Sequence, residues 1–343
     1  METRKVQRLG PSTLAMTLPA AWVKEHGVAK GDEVTLRTGG KGTLTVLPES
    51  AKEEDTTVTI WADNLNDEGL ERAIVAQYVL GRRVITVARD EGTLHSAQIN
   101  AVYEAETQLM GLGVIEETPD QIAIRCSVDP QDFTLDNLLQ RLESTGSTMR
   151  TEAIDALAAG DPDLAQRALN RERQANKIFV LLLRLIFTSF QTPTLAEEIG
   201  LESTFPLIGY RSVAKNLELT ADNAEDIATI VIDNAEAPLA MAPATISAIE
   251  EFSDAVDELT VTAVRSVVER DYDLTVECRS LYQRIIDREF EILTDLPPMD
   301  NRPLLQVREV LVSLAHTAQY AMRNVEIASN LALSVPSGYV TLE

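Results

Sequence analysis

The stretch AKNLELTADNAEDIA (214–228) decides how most of this chain is read. It lies inside PLIGYRSVAKNLELTADNAEDIATIVIDN (206–234), which has helical periodicity and no proline after its first residue. Glu218, Asp222 and Asp226 fall at i, i+4 and i+8, along one helical face. The stretch also has an echo: LELTADNAEDIA (217–228) and AMRNVEIASNLA (321–332) lie 104 residues apart. DPDL (161–164) and DYDL (271–274) lie 110 apart. That period marks a tandem repeat of three-helix units, not a solenoid of short repeats.

Outward from the stretch, helices fill both repeats, 133–235 and 238–333. LDNLLQRLESTGSTMRTEAIDALAAG (135–160) keeps Leu135, Leu138, Leu139, Leu142, Met149, Ala153 and Leu157 at helical spacing. DPDLAQRALNRERQANKIFVLLLRLIF (161–187) follows, with Asp161 as N-cap and Pro162 at the first helical position. The second repeat reads as helices over 243–269, 270–293 and 304–333. The longest apolar run, IFVLLLRLIF (178–187), is broken by Arg184 and reads as a buried helix, too short to span a membrane. No charged, apolar, small-residue series opens the sequence, so no secretory leader is expected, and Cys126 and Cys278, far apart, read as packed thiols, which suits a reducing cytoplasm.

The 343 residues carry a net charge of -24, with Asp and Glu dispersed throughout rather than gathered in a tail. Only 7 of the 30 basic residues are Lys. Such a surface is expected of a protein working in concentrated salt, where self-repulsion is screened and carboxylates hold hydration. Residues 1–50 escape the trend, with seven cations against five anions.

That segment reads as strands KVQRLG (5–10) and TLAMTL (13–18) around a Gly10–Pro11 turn. PAAWVKEHG (19–27) is a short helix with Pro19 at its first position, and DEVTLRTGGKGTLTVLP (32–48) is a hairpin around Gly39–Gly40. About 50 residues of strand and turn bury little alone, so an intertwined homodimer is expected. The order in RKVQRLGPSTLAMTLPAAWVKEHGVAKGDEVTL (4–36) resembles the AbrB/SpoVT family of swapped-hairpin DNA-binding domains. The resemblance implies DNA contacts at Arg4, Lys5, Arg8, Ser12 and Thr13, and less directly at Lys24 on the helix.

Residues 56–128 read as a small α/β sandwich of order β-α-β-α-β-β. Leu70, Ile74, Val75 and Tyr78 share one helical face, and Ile99, Val102 and Leu109 point inward from a second helix. This block fits a linker, a dimer surface or a ligand sensor equally well. The fold class is therefore multidomain α+β: a swapped-hairpin head, an α/β sandwich, and tandem three-helix bundles.

The bundles resemble PhoU, the phosphate-signalling helical family. Leu217, Glu218, Asp222, Ala224, Ile227 and Ala228 agree with its A-R-x-L-E-R-I-x-D-H-A-x-N-I-A pattern. ALAAGDPDLA (156–165) and LYQRI (281–285) agree more loosely. An AbrB-like head, an α/β middle and PhoU-like bundles in this order resemble archaeal phosphate-uptake regulators. PhoU proteins carry metal on acidic clusters, which implies a hard divalent cation, iron or manganese, on Glu172, Glu218, Asp222 and Asp226 of the first repeat. The chain departs from the pattern at Asn176 and Asn223, and in the second repeat at Thr275, Arg279 and Met322. The face is either a weak cation site or a solvated acidic surface.

His26, His95 and His316 stand alone in separate blocks, and no nucleophile–base set or phosphate loop appears, which argues against an enzyme. Two functions are carried forward. One is a dimeric regulator that binds promoter DNA, its bundles sensing phosphate status through a transporter or another signalling protein. The other is an adaptor that restrains a phosphate transporter, its head serving only for dimerisation. Neither inserts into a membrane.

Overall fold

A computed structural model describes residues 3–39, 42–48, 57–191, 195, 199, 206–236, 241–334, 336 and 338–341. The chain divides into two compact units, Met1–Thr56 and Thr57–Glu343.

In the first unit, β1 (Gln7–Arg8) pairs antiparallel with β2 (Leu14–Ala15), and β3 (Val34–Gly39) pairs with β4 (Thr43–Pro48). Gly40, half of the expected hairpin turn, lies outside the described residues. Between the two pairs runs α1 (Ala20–Glu25). Pro19 is its N-cap, extended at φ -62° and ψ 131°, so the helix starts one residue later than the sequence implied. Among the described residues of this unit only Pro48 is buried. Val6, Leu9, Leu14 and Leu36 are all more than half exposed.

The second unit begins with a four-stranded sheet. Its strands are β5 (Thr57–Trp61), β6 (Val84–Ala88), β7 (Leu112–Glu117) and β8 (Gln121–Cys126), in spatial order β5-β6-β8-β7. β5 and β6 are parallel, as the α2 crossover (Asp67–Val79) requires, and the other pairs are antiparallel. The sequence order gave no sign that β8 would insert between β6 and β7. The register stacks Ile60 beside Val87 and Ile85 beside Ile124, all buried under α2 and α3 (Ser96–Gln108). Leu70, Ile74, Tyr78 and Val102 are buried, as expected.

Among the described residues six long helices follow: α4 (Leu135–Ala159), α5 (Pro162–Gln191), α6 (Pro206–Asp233), α7 (Pro243–Glu269), α8 (Tyr272–Asp295) and α9 (Asn301–Ala332). Side-chain caps fix the starts of α4, α5 and α8. Thr134 accepts from the Asn137 amide at 3.3 Å, Asp161 from Asp163 at 2.9 Å, and Asp271 from Asp273 at 2.8 Å. Gly160 closes α4 at φ 63°. Its counterpart 110 residues on is Arg270, the one described non-glycine residue with positive φ, at 52°.

α4, α5 and α6 form one three-helix bundle, and α7, α8 and α9 form the other. They join along α6–α9 and α4–α7. Asn216 donates to Asn324 at 2.8 Å and Asn223 to Thr317 at 3.0 Å, so seven steps forward on α6 are seven steps back on α9. That antiparallel register sets Glu218 level with Met322, its own counterpart in the repeat. On the other seam, Ser147 bonds Asp257 and Arg150 bonds Thr260, each pair 110 residues apart and each a pair of counterparts. Residues that meet their own counterparts lie on a local two-fold axis, so the two repeats pack face to face about one.

The sheet block is not an appendage. Its core is continuous with that of the first bundle. At the seam Arg184, nearly fully buried on α5, donates to the carbonyls of Tyr78, Gly81 and Arg82 at the end of α2. The charge that breaks the apolar run thus caps a neighbouring helix.

Candidate functional site

Two sets of sequence-predicted residues can be placed. In the head, the Leu9 amide donates to the Thr13 carbonyl at 3.0 Å and closes the turn that carries Ser12 and Thr13. Arg8 lies on β1 opposite Leu14, and its guanidinium reaches the Pro11 carbonyl at 3.2 Å across the turn. Arg4 and Lys5 precede it on the same segment, and all of these side chains are exposed. Lys24 sits in the last turn of α1, away in sequence from the strand cations.

In the bundle, α5 and α6 bring Glu172 into the electrostatic neighbourhood of Glu218, Asp222 and Glu225. Burial, then the negative charges of Glu218, Glu225 and Glu172, push Asp222 up to about 6, while Lys215 opposes the shift. Glu172 is raised by burial and by Glu225. Asp226 parts from this group. Four residues advance a helix by about 400°, so each i, i+4 step drifts about 40° and Asp226 lies about 80° round from Glu218. It faces a groove between α6 and α9 instead.

The cation already present is Lys215, whose ammonium bonds Glu218. Asn223, where the PhoU pattern has His, is buried and spent on Thr317. Among the described residues no three His, Cys, Asp or Glu side chains gather closely enough to hold a metal ion. Of the four carboxylates, the structure brings Glu172, Glu218 and Asp222 into one neighbourhood and sets Asp226 apart.

The repulsion they leave is measurable. The folded-state pKa of Asp222 lies above its ordinary value of 3.8, so stability falls as pH rises from about 4 to about 6 and the penalty is full above that. Asp222→Asn should raise stability by roughly 0.5–1 kcal/mol at pH 7.5, two or three like-charge pairs at about 0.2–0.5 each, and change little at pH 4. Urea unfolding at the two pH values checks this. Millimolar manganese that raises the midpoint of the parent but not of the variant would identify a bridging cation.

Two family models match parts of this chain. Residues 139–231 match the family model of the PhoU domain. The first bundle is a PhoU domain. Residues 7–54 match the model described as antidote-toxin recognition MazE, bacterial antitoxin, so the head is a MazE/AbrB-like antitoxin domain. The crystal structure of PhoU from Pseudomonas aeruginosa is similar with a TM-score of 0.42 at 17% identity, covering 57% of this chain and 94% of that chain. No curated protein matches.

Sequence reasoning missed a polar cluster at the α4–α7 seam beside the PhoU domain. Arg150, 1% exposed, bonds Asp257 through Nε at 2.7 Å and through Nη2, and Thr260 at 3.3 Å. Glu143 accepts from Thr260 at 3.4 Å and is pushed up to about 7, chiefly by burial, with Arg150 opposing. Arg150 and Asp257 belong to different repeats, so no local pattern marked them as partners. Among the described residues no helix is long and apolar enough to cross a membrane.

Proposed function

We propose that this protein is a dimeric DNA-binding regulator of phosphate uptake, working in the cytoplasm. The head reads a promoter, and the bundles report phosphate status through a transporter or signalling partner. One observation carries the reading. In a chain of net charge -24, the exposed segment around β1 holds Arg4, Lys5 and Arg8, with Ser12 and Thr13 in the adjoining turn. Exposed cations beside short polar side chains suit phosphate oxygens and base edges.

The dimer follows from the head's missing core. Leu9, Leu14 and Leu36, 73%, 68% and 61% exposed, have no apolar cover within the described unit. A second copy that interleaves its strands would supply it and would double the cationic set for a two-fold operator. The role is binding and signalling, not catalysis. The acidic, lysine-poor surface supports a working medium of concentrated salt, where counterion release contributes little. The head's cations must then act at short range, as hydrogen-bonding forks.

Replacing Arg4, Lys5 and Arg8 together with Ala should abolish promoter binding. Arg8→Ala alone should cost about 1–3 kcal/mol and relax specificity if it reads a base, whereas Lys5→Ala should weaken all sequences alike. Titration of the intact protein against its own promoter over a potassium chloride series measures both. A triple variant that binds as well as the parent would sink the proposal, as would a monomer in sedimentation at micromolar concentration.

A further inference from the structure

The α6–α9 seam is asymmetric in a way its two-fold does not require. At one end stands Gly209, where an added Cβ would lie 2.8 Å from Ile327 Cγ2, so the helices are in close contact. The repeat offset of 104 makes Ser313 the counterpart of Gly209, and Asn223 the counterpart of Ile327. At that end, beside the Asn223–Thr317 bond, a groove of about 640 Å³ runs between the helices. Glycine and isoleucine thus meet closely at one end of the packing, whereas serine and asparagine line a groove at the other.

The groove has a definite chemistry. Ile230, Leu305 and Val312 line it, with Leu305 60% exposed and Val312 40%. Leu305 and Val312 are two turns apart on α9, which spaces them about 10 Å along the groove. Asp226, Asp233 and Glu309 flank this apolar line against a single Arg308, and Glu289 on α8 faces His316 at the far end. Among the described residues, the carboxylates of Asp226, Asp233 and Glu309 form no ion pair. An apolar stripe between antiparallel helices, edged with unpaired carboxylates, complements a helix with apolar residues at i, i+3/i+4 and i+7 and cations on its flanks.

We propose that this groove docks a basic amphipathic helix of a partner protein. The inference rests on the reading of the bundles as a protein-signalling module, but not on DNA binding by the head. Its test contains no DNA, so either can fail alone.

The probe is a fluorescent 14-residue helical peptide of Leu and Lys, with a Leu and Glu peptide as its charge-reversed control. Full-length protein should bind the Lys peptide saturably at one per chain and ignore the Glu peptide. Leu305→Lys should weaken binding at least tenfold, and Asp226→Asn with Asp233→Asn about tenfold. Both change exposed side chains, and circular dichroism checks their folding. Phe290→Lys, the same charge change at a 72% exposed site outside the groove, should bind like the parent. Three outcomes would overturn the proposal. The first is no saturable binding. The second is equal weakening by Phe290→Lys and Leu305→Lys, which means the peptide merely coats an acidic surface. The third is a fall in self-association on Leu305→Lys, which means the groove takes another copy.

Discussion

Arg150→Met should destabilise the protein by roughly 3–5 kcal/mol, the range for stripping one partner from a buried ion pair. Arg150 is the cation of the α4–α7 seam, and it faces two carboxylates there. Asp257 takes two of its nitrogens, with its own side chain 20% exposed, and Glu143 sits beside it through Thr260. Methionine fills most of the volume, so the loss reports charge rather than a cavity. The pH profile adds a second readout. Glu143 is raised to about 7 from an ordinary 4.5, so the folded state binds its proton more tightly. Stability therefore falls between about pH 4.5 and 7. Without Arg150 to favour the ionised form, that fall should extend above pH 7. Arg150→Met with Asp257→Leu should recover much of the loss, because the orphaned carboxylate goes too. Chemical denaturation across pH 5–8 measures all three. A loss below about 1 kcal/mol for the single variant would mean that the seam is held by packing alone.

The second large effect is expected at Arg184. Its guanidinium serves the carbonyls of Tyr78, Gly81 and Arg82 and lies over the Tyr78 ring, 4.8 Å from the centroid. These carbonyls lie at the end of α2, where the helix dipole is negative, and the Tyr78 carbonyl also accepts from the Gly81 amide at 3.0 Å. Arg184→Ala removes all three bonds at a buried seam, and an acceptor left there without another partner costs about 1–3 kcal/mol. We expect a loss of roughly 3 kcal/mol, concentrated in the sheet block. Amide exchange should rise in β5, β6 and α2 more than in α7, α8 and α9. Arg184→Lys should recover only part, because one ammonium cannot fork to three carbonyls. Uniform exchange over the whole unit would show that the sheet block and bundles unfold as one, with Arg184 no special link between them.

The helices were legible because each carries its own instructions. Asp161 and Pro162 start α5 by chemistry two residues long, and the apolar period of 135–157 needs no partner to be seen. The end of α5 was less legible: it runs to Gln191, four residues past expectation. Thr188 and Ser189 bond back to carbonyls within the helix, and no proline intervenes before Pro193. The head's cations were visible as a departure from the composition of the rest. The acidic residues of α6 were legible only as a pattern. Spacing of i, i+4, i+8 names a face, but 40° of drift per step and a nearby Lys215 decide what the face holds.

By itself the sequence determined the elements, the repeat and the exceptional charge of the head, because caps, periodicity and composition act within a turn or two of chain. Only the tertiary structure decided that β8 lies between β6 and β7, that Arg184 caps a helix about a hundred residues earlier, and that Arg150 answers a carboxylate in the other repeat. It alone placed a groove at one end of the α6–α9 seam and a close glycine contact at the other. The physical reason is the same in each case. A side chain's bonds, burial and charge depend on what packs against it from a distant part of the chain, and local sequence holds no record of that neighbour.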